Sequence, residues 1–300
     1  MSEPERTPLW AAVVVNYNAG DALLACVRSL LADTSAGGPP EIVVVDNASE
    51  DGSADALAAR HPEVTLVRAP TNLGFSRANN LGVAATYAPV VAAVNPDVEV
   101  DPGTAGAMLA RLDDAADLAA VGPRVRNPDG SQYPSARIVP SGIDAVGHAV
   151  LAPIWPANPF TRRYRRLDTD WSRPHDVGWL SGSALWFRRT AFDEVGGWDE
   201  GFFMYLEDVD LCARWTAAGW RVAYEPGGAV LHLQGLSTAR HPYRMIIEHH
   251  RSAARFASKH WQGSRRLLLG PAVVFLAVRA ATQVVARATG GRTDGPRPIR

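Results

Sequence analysis

Three apolar runs, each ending in asparagine or aspartate, constrain this chain more than any other feature. Trp10 to Val15 leads into Asn16-Tyr17-Asn18, Glu41 to Val45 into Asp46-Asn47, and Val90 to Val94 into Asn95-Pro96-Asp97. Runs this short and this rich in valine make strands buried on both faces of a parallel sheet. Helical stretches separate them. Asp21 caps one helix reaching about Leu31, which Gly37-Gly38-Pro39-Pro40 breaks. A second helix reaches about Arg60, a strand follows at Val64 to Val67, and a third helix opens within Asn72 to Asn80 and runs to about Tyr87. The alternation predicts a doubly wound α/β domain.

Ligands of such sheets bind beyond the carboxyl ends of the strands. That places Asp46 against a ligand, such as the base or ribose of a nucleotide. No Gly-x-Gly-x-x-Gly follows the first strand and no Gly-Lys-Ser/Thr loop is present. Both absences argue against a dinucleotide oxidoreductase and a P-loop ATPase. Gly74 lets the backbone approach a ligand closely. Arg77 and Asn79 offer a charge and an amide near a helix start, where phosphates bind readily. Asp97, just past a central strand, can hold a divalent cation against a diphosphate, although Asn-Pro-Asp is also an ordinary turn.

Further on, Tyr205-Leu206-Glu207-Asp208-Val209-Asp210-Leu211 reads as a loop turning into a helix, with Leu211, Trp215 and Ala218 facing inward. Three carboxylates then sit at a helix N-terminus, which favours anions. The arrangement suits a general base in a cleft, or simply an acidic first turn.

At 300 residues the chain makes one large domain or two smaller ones. Two cysteines without metal spacing indicate a reducing compartment, and the polar start is not a signal peptide. Charge is distributed unevenly. Residues 1–235 carry 18 basic and 29 acidic side chains, and residues 236–300 carry 12 and 2. A basic tail of this kind meets a polyanion, membrane or nucleic acid; no nucleic-acid recognition module accompanies it. A helix is expected from Met245 to about Lys259. The apolar run Leu267 to Val278, twelve residues long, is shorter than the roughly 20 needed to span a bilayer. An interfacial helix with flanking arginines is expected, with a core-docked helix as the alternative.

Taken together, Val15-Asn16-Tyr17-Asn18, Val45-Asp46-Asn47-Ala48-Ser49, Asn72-Leu73-Gly74-Phe75, Asn95-Pro96-Asp97 and Glu207-Asp208-Val209-Asp210 resemble the ordered motifs of the family 2 glycosyltransferases of the GT-A fold. The resemblance covers roughly residues 9–260. It implies a Rossmann-like, mostly parallel sheet flanked by helices, with a C-terminal helical extension. The nucleotide-sugar and catalytic domain would span residues 1–235, and residues 236–300 would form a basic, partly apolar helical tail. The resemblance also implies a donor site at Asn16, Asn18, Asp46, Asn47, Gly74, Arg77, Asn79, Asn95 and Asp97. Many members carry Asp-x-Asp where this chain has Asn95-Pro96-Asp97, so Asp97 needs a second ligand for Mg²⁺ or Mn²⁺, and by family analogy that is His232. Asp208 would be the general base of an inverting transfer, with Glu207 as the alternative.

The stretch Gly122 to Arg137, with Trp155 to Phe160 and Val177 to Ser183, is similar to the branch that moves rhamnose from dTDP-rhamnose to decaprenyl-diphosphoryl-N-acetylglucosamine. This similarity implies acceptor contacts at Trp179, Ser181 and Gly182, and a cytoplasmic enzyme held peripherally at the inner leaflet. The irregular, proline-punctuated segment from Arg137 to Pro174, with its Arg162, Arg163, Arg165 and Arg166 cluster, is expected to form an acceptor-side loop whose arginines meet a lipid diphosphate or the membrane face, with a surface excursion bearing solvated arginines as the alternative. The rival readings are a UDP-sugar-dependent transferase, a sugar nucleotidyltransferase, which would want a glycine-rich basic loop after the first strand, and a nucleotide-sugar-binding protein without turnover. Oligomeric state is left open, a homo-oligomer included.

Overall fold

A computed structural model describes residues 8–137, 155, 158–165, 170–233 and 242–289, with the side chains of 163–165 left aside. Most of the expected acceptor-side loop, including Arg166 and the side chains of Arg163 and Arg165, lies outside the described residues.

The first half follows the expected alternation. Strands β1 (Trp10–Asn16), β2 (Glu41–Asp46), β3 (Thr65–Arg68) and β4 (Val90–Val94) alternate with helices α1 (Asp21–Ala32), α2 (Ser53–Arg60) and α3 (Phe75–Ala84). The four strands pair in parallel in the order β3-β2-β1-β4. Valines alternate between two cores: Val14 and Val44 enter one, Val13, Val43 and Val45 the other. This double burial is why these strands read as continuous apolar runs. Asp21 is the first residue of α1 rather than its cap; Gly20 takes that position and no side chain closes the helix start.

Beyond β4 the sheet becomes mixed. Next come β5 (Val98–Val100), α4 (Thr104–Asp113), β6 (Leu118–Arg126) and the short β7 (Ala136–Arg137). Helix α5 (Pro159–Arg165) and strands β8 (His175–Asp176), β9 (Trp179–Leu180) and β10 (Ala184–Arg188) precede α6 (Arg189–Glu194), α7 (Glu207–Ala217) and β11 (Arg221–His232). Strand β10 inserts antiparallel between β4 and β6, so its first residue, Ala184, lies opposite Val94 at the end of β4. The segment before β10 therefore meets the loop after β4, and Asn95 N donates to Ser183 O at 2.9 Å. Strand β11 runs parallel to β6 and ends at the same edge. Chain reversal at β10 thus gathers three loops where a parallel sheet alone would present its ligand.

Helix α7 packs beneath this edge through Val209, Leu211, Cys212 and Trp215. Ala218, expected to face inward, is exposed just past the last turn, where the helical rotation no longer holds it over the core. Two helices close the described chain. Helix α8 (Pro242–His260) buries His250, Ser252, Phe256 and Ala257. A 3₁₀ turn (Gly263–Leu268) leads into α9 (Leu269–Ala288), none of whose residues is buried. The core-docked alternative for this segment is thereby overturned. The expected length is corrected as well. The apolar segment continues past Val278, and Gly263–Ala288 is long and apolar enough to cross a membrane.

Candidate active site

The ends of β1 and β2 are cross-linked by side chains. Asn16 Nδ2 donates to Asp46 Oδ1 (3.0 Å), Ser49 Oγ (3.0 Å) and Ser53 Oγ (2.8 Å). Asn18 Oδ1 accepts from Glu50 N at 2.8 Å. Asn47 Oδ1 accepts from Leu73 N (2.7 Å) and its amide donates to Asn72 Oδ1 (3.1 Å). Asn18 and Ala48 adopt left-handed backbone angles with φ of 54° and 63°, a conformation that costs energy and that surrounding bonds must enforce. Asn16, Asn18 and Asn47 thus hold three loops in register around Asp46. Ser49 and Ser53 complete that clamp; their serine-rich loop was the only signal for them in the sequence.

Arg77 and Asn79 are engaged elsewhere. Arg77 Nε donates to Glu200 at 2.9 Å on the surface, and the buried Asn79 donates to Phe75 O within its own helix. Gly74 does allow a close approach, but to the protein itself. At φ 83° a Cβ there would lie 2.6 Å from Phe203 O, and Phe75 N donates to that same oxygen at 2.7 Å. The loop after β3 therefore seats directly on the loop that leads to Glu207.

Across the edge, Asp97 and His232 come together. His232 Nε2 lies 3.2 Å from Asp97 Oδ1, and both side chains are nearly buried. The pairing of His232 with Val98 and the bond from Leu233 N to Asp97 O fix the two loops. Two donors about 2.1 Å from one ion and at right angles stand about 3 Å apart, so the pair fits two neighbouring ligands of a hard cation. His232 Nδ1 is buried without a hydrogen-bond partner among the described residues. No group of three or more His, Cys, Asp and Glu gathers among the described residues, so the remaining ligands of an ion here would come from substrate and water. Tyr133 packs edge-on against His232 with centroids 5.9 Å apart; nothing local in the sequence singled it out.

Helix α7 opens on Glu207 after two consecutive left-handed residues, Tyr205 (φ 70°) and Leu206 (φ 62°). That strained entry turns Glu207 and Asp208 into the site. Glu207 is buried, and its Oε2 has no partner among the described residues. Burial first, then the neighbouring Asp208 and Asp210 charges, push its carboxyl well above the ordinary range. Asp208 is partly exposed. Its Oδ2 accepts from Gly182 N at 3.0 Å and its Oδ1 from Val209 N at 2.8 Å. Burial raises its carboxyl pKa, while those two amides and Arg137 oppose the rise. The result is a buried carboxyl without a partner among the described residues beside one oriented by two amides.

Gly182 is placed by the β7–β9 ladder, where Ala136 pairs with Leu180 and Ser181 N donates to Ser135 O at 2.7 Å. Arg137 lies 5.5 Å over the ring of Trp179. Trp179, Ser181 and Gly182 therefore form one wall beside Asp208, and Arg137, given no role by sequence reasoning, belongs to it. Of the aromatics around the loop, Trp198 and Phe202 are core residues.

Asp210, third of the carboxylates, faces away. It is fully buried and accepts from Arg214 Nε (2.8 Å) and His260 Nε2 (2.7 Å), with Lys259 Nζ at 2.8 Å. Despite burial, hydrogen bonds from His260 and Lys259 and the Arg214 charge lower its carboxyl pKa. Asp199 is held to about 2 in a similar way, since Lys259, Gly201 and Arg255 outweigh its burial. These two carboxylates fasten α8 to the catalytic helix.

With this geometry in place, comparison with known proteins assigns the family. The model of glycosyl transferase family 2 matches residues 11–196, and that of glycosyl transferase family group 2 matches residues 146–280. The chain belongs to glycosyl transferase family 2. It is 42% identical, over 86% of each chain, to the N-acetylglucosaminyl-diphospho-decaprenol L-rhamnosyltransferase of Mycobacterium tuberculosis. Among solved structures, a mannosyltransferase from Pyrobaculum calidifontis in complex with GDP-Man and Mn²⁺ superposes with a TM-score of 0.56. The sequences are 17% identical, and the match covers 97% of this chain and 78% of that one. GalNAc-T7 with UDP, GalNAc and Mn²⁺ gives 0.55 at 16% identity, over 77% of this chain and 44% of the other. The fold of this glycosyltransferase is thus GT-A.

Proposed function

We propose that this glycosyltransferase moves L-rhamnose from dTDP-rhamnose to a polyprenyl-diphosphoryl-N-acetylglucosamine, with inversion at the anomeric carbon. The carrying observation is Asp208, a carboxylate aimed by the Gly182 and Val209 amides beside the Trp179–Ser181–Gly182 wall. The 42% identity to the mycobacterial enzyme supports the choice of donor and acceptor. Asp208 takes the proton from the attacking acceptor hydroxyl as the new glycosidic bond forms and the donor diphosphate departs. Burial favours the neutral form of Glu207, while two amide donors favour the charged form of Asp208. A raised pKa brings Asp208 nearer the working pH and makes it a stronger base. The strapped loops around Asp46, with Asn16, Asn18, Asn47 and Gly74, form the nucleotide side. Asp97 and His232 would hold a divalent cation, which when bound offsets charge growing on the leaving diphosphate.

The chain divides into a catalytic part, 1–235, and a tail, 236–300, with α8 as the joint. Helix α9 supports a position at the cytoplasmic face of a membrane. Its exposed face carries Val274, Val278 and Val285, exposed at 64%, 58% and 60%, while the more shielded face carries Arg279 and Gln283. A helix with its apolar side outward suits lipid as its neighbour. Because α9 packs along α8, itself docked on the catalytic part, it lies in the interface rather than across the bilayer.

The test is release of dTDP by purified enzyme with Mn²⁺ or Mg²⁺ and a short polyprenyl-diphosphoryl-N-acetylglucosamine. Acceptor-dependent release supports the reading. Release only from UDP-sugars would discard the rhamnosyl donor, and nucleotide binding without turnover would discard the transfer.

A further inference from the structure

Resting on the proposed function, we infer that Arg279, His249 and Arg244 form a second anionic subsite, one that takes the diphosphate of the lipid-linked acceptor. Transfer from one diphosphate-linked sugar to another requires two such subsites flanking a single base. The Asp97–His232 pair lies on one side of the catalytic loop. Tyr133 packs on His232, and Tyr205, two residues before Glu207, packs on His249 at 5.5 Å. His249 in turn lies 5.4 Å from His250.

His249 sits on the side of α8 that meets the catalytic loop, yet its side chain is exposed. It stands at the surface where α8 meets that loop, its ring against Tyr205. Arg244, one and a half turns earlier on α8, stacks 4.5 Å over Phe203, four residues before Glu207. Arg279 lies on α9, which packs along α8, near enough for its charge to act on His249 and His250. Desolvation by the surrounding protein, and after it the Arg279 charge, holds both His249 and His250 below the ordinary imidazole range. His250 is 5% exposed, and its Nε2 has no hydrogen-bond partner among the described residues.

The pattern of pairing sets these groups apart. Elsewhere on α8, Arg251 pairs with Glu248, Arg255 with Asp199, and Lys259 with Asp199 and Asp210. Among the described residues no carboxylate pairs with Arg244, His249, His250 or Arg279. The charges of Arg244 and Arg279 without a counter-charge, beside imidazoles held neutral that can donate a ring N–H, suit a dianionic ligand. The source of that anion follows from α9. Its lipid-facing valines put Arg279 at the depth where a lipid's headgroup begins, so the acceptor's diphosphate meets it while the polyprenyl chain stays in the bilayer.

The test uses the full chain in detergent with a short-chain polyprenyl-diphosphoryl sugar, which removes bulk membrane charge. Arg279→Gln and His249→Gln should each raise the acceptor KM about tenfold or more, with donor KM unchanged and kcat within about threefold; Arg279→Lys should restore most of the loss. A rise in donor KM instead would assign the cluster to the nucleotide diphosphate and overturn the inference, as would unchanged KM values in both variants. Binding of geranyl diphosphate in EDTA, followed by calorimetry, separates this inference from the proposed function. Wild-type binding weakened in Arg279→Gln supports the subsite even if no rhamnosyl transfer is found. Absent binding, or equal binding by both proteins, removes it even if transfer is robust.

Discussion

The Gly182 amide donates to the Asp208 carboxylate at 3.0 Å, joining the wall before β10 to the first turn of α7. Together with Val209 N it fixes the carboxylate direction and keeps the charged form available. Asp208→Asn keeps the shape and removes the base. It should lower kcat by about 10²–10⁴ while leaving dTDP-rhamnose affinity unchanged, read by nucleotide release and calorimetry. Near-wild-type turnover would exclude Asp208 as the base.

Glu207 provides a pH signature. Its folded pKa is raised above its ordinary 4.5, so its favourable contribution is complete below about 4.5 and is lost as pH rises through the folded value. Glu207→Gln never ionises and escapes that loss. The melting temperature of the variant relative to wild type should therefore climb as pH rises from about 4.5 towards the raised folded value. A constant difference across that range would show that Glu207 is not held neutral.

Metal response should map to the Asp97–His232 pair. Asp97→Ala and His232→Ala should each shift the Mn²⁺ or Mg²⁺ activation curve to at least tenfold higher concentration, since each removes one of two protein ligands. Chelation should silence the wild type reversibly. Unchanged metal curves in both variants would move the cation away from this pair.

Asp210 should act through stability. Removing one partner from a buried ionic cluster costs about 3–5 kcal/mol, so Asp210→Asn should sharply lower the melting temperature and speed amide exchange in α8. In wild type the stabilisation persists above the ordinary carboxylate value of 3.8 and fades only as pH falls through the lowered folded value. Unchanged exchange in α8 would show that the helix is held by other contacts.

Gly74→Ala tests the seat between two loops. The added Cβ would collide with Phe203 O and would sit at a positive φ. Loss of about 1–3 kcal/mol is expected, together with a fall in kcat as the Glu207 loop shifts. A variant with full activity would mean that this seat does not govern the loop.

Much of the architecture was legible before any coordinates. The buried strands at Trp10, Glu41 and Val90 and the loop-to-helix switch at Glu207 are local patterns, and a local pattern survives in one dimension. The approach of His232 to Asp97 was implied by family motif and confirmed as contact by the ladder between β5 and β11. Other features depend on direction and distance. The Asn16 amide also clamps Asp46, a contact the sequence did not show, because its partners at Ser49 and Ser53 arrive only when β1 and β2 pair.

The sequence by itself determined the parallel half of the sheet, because apolar periodicity and polar strand ends encode it residue by residue, while the motifs, with the Glu207–Asp208 pair, were legible through their resemblance to a family. Tertiary structure alone decided which way the three acidic residues of α7 point. Successive helix positions rotate by about 100°, so Asp208 and Asp210 leave α7 on nearly opposite sides: Asp208 meets Gly182 while Asp210 turns to Lys259 and His260, about fifty residues distant in the chain. It also decided that β10 runs antiparallel, bringing Gly182 to Asp208, and that α9 shows its valines outward and Arg279 inward. Such outcomes follow from packing between distant segments, whose energies no single stretch of sequence contains.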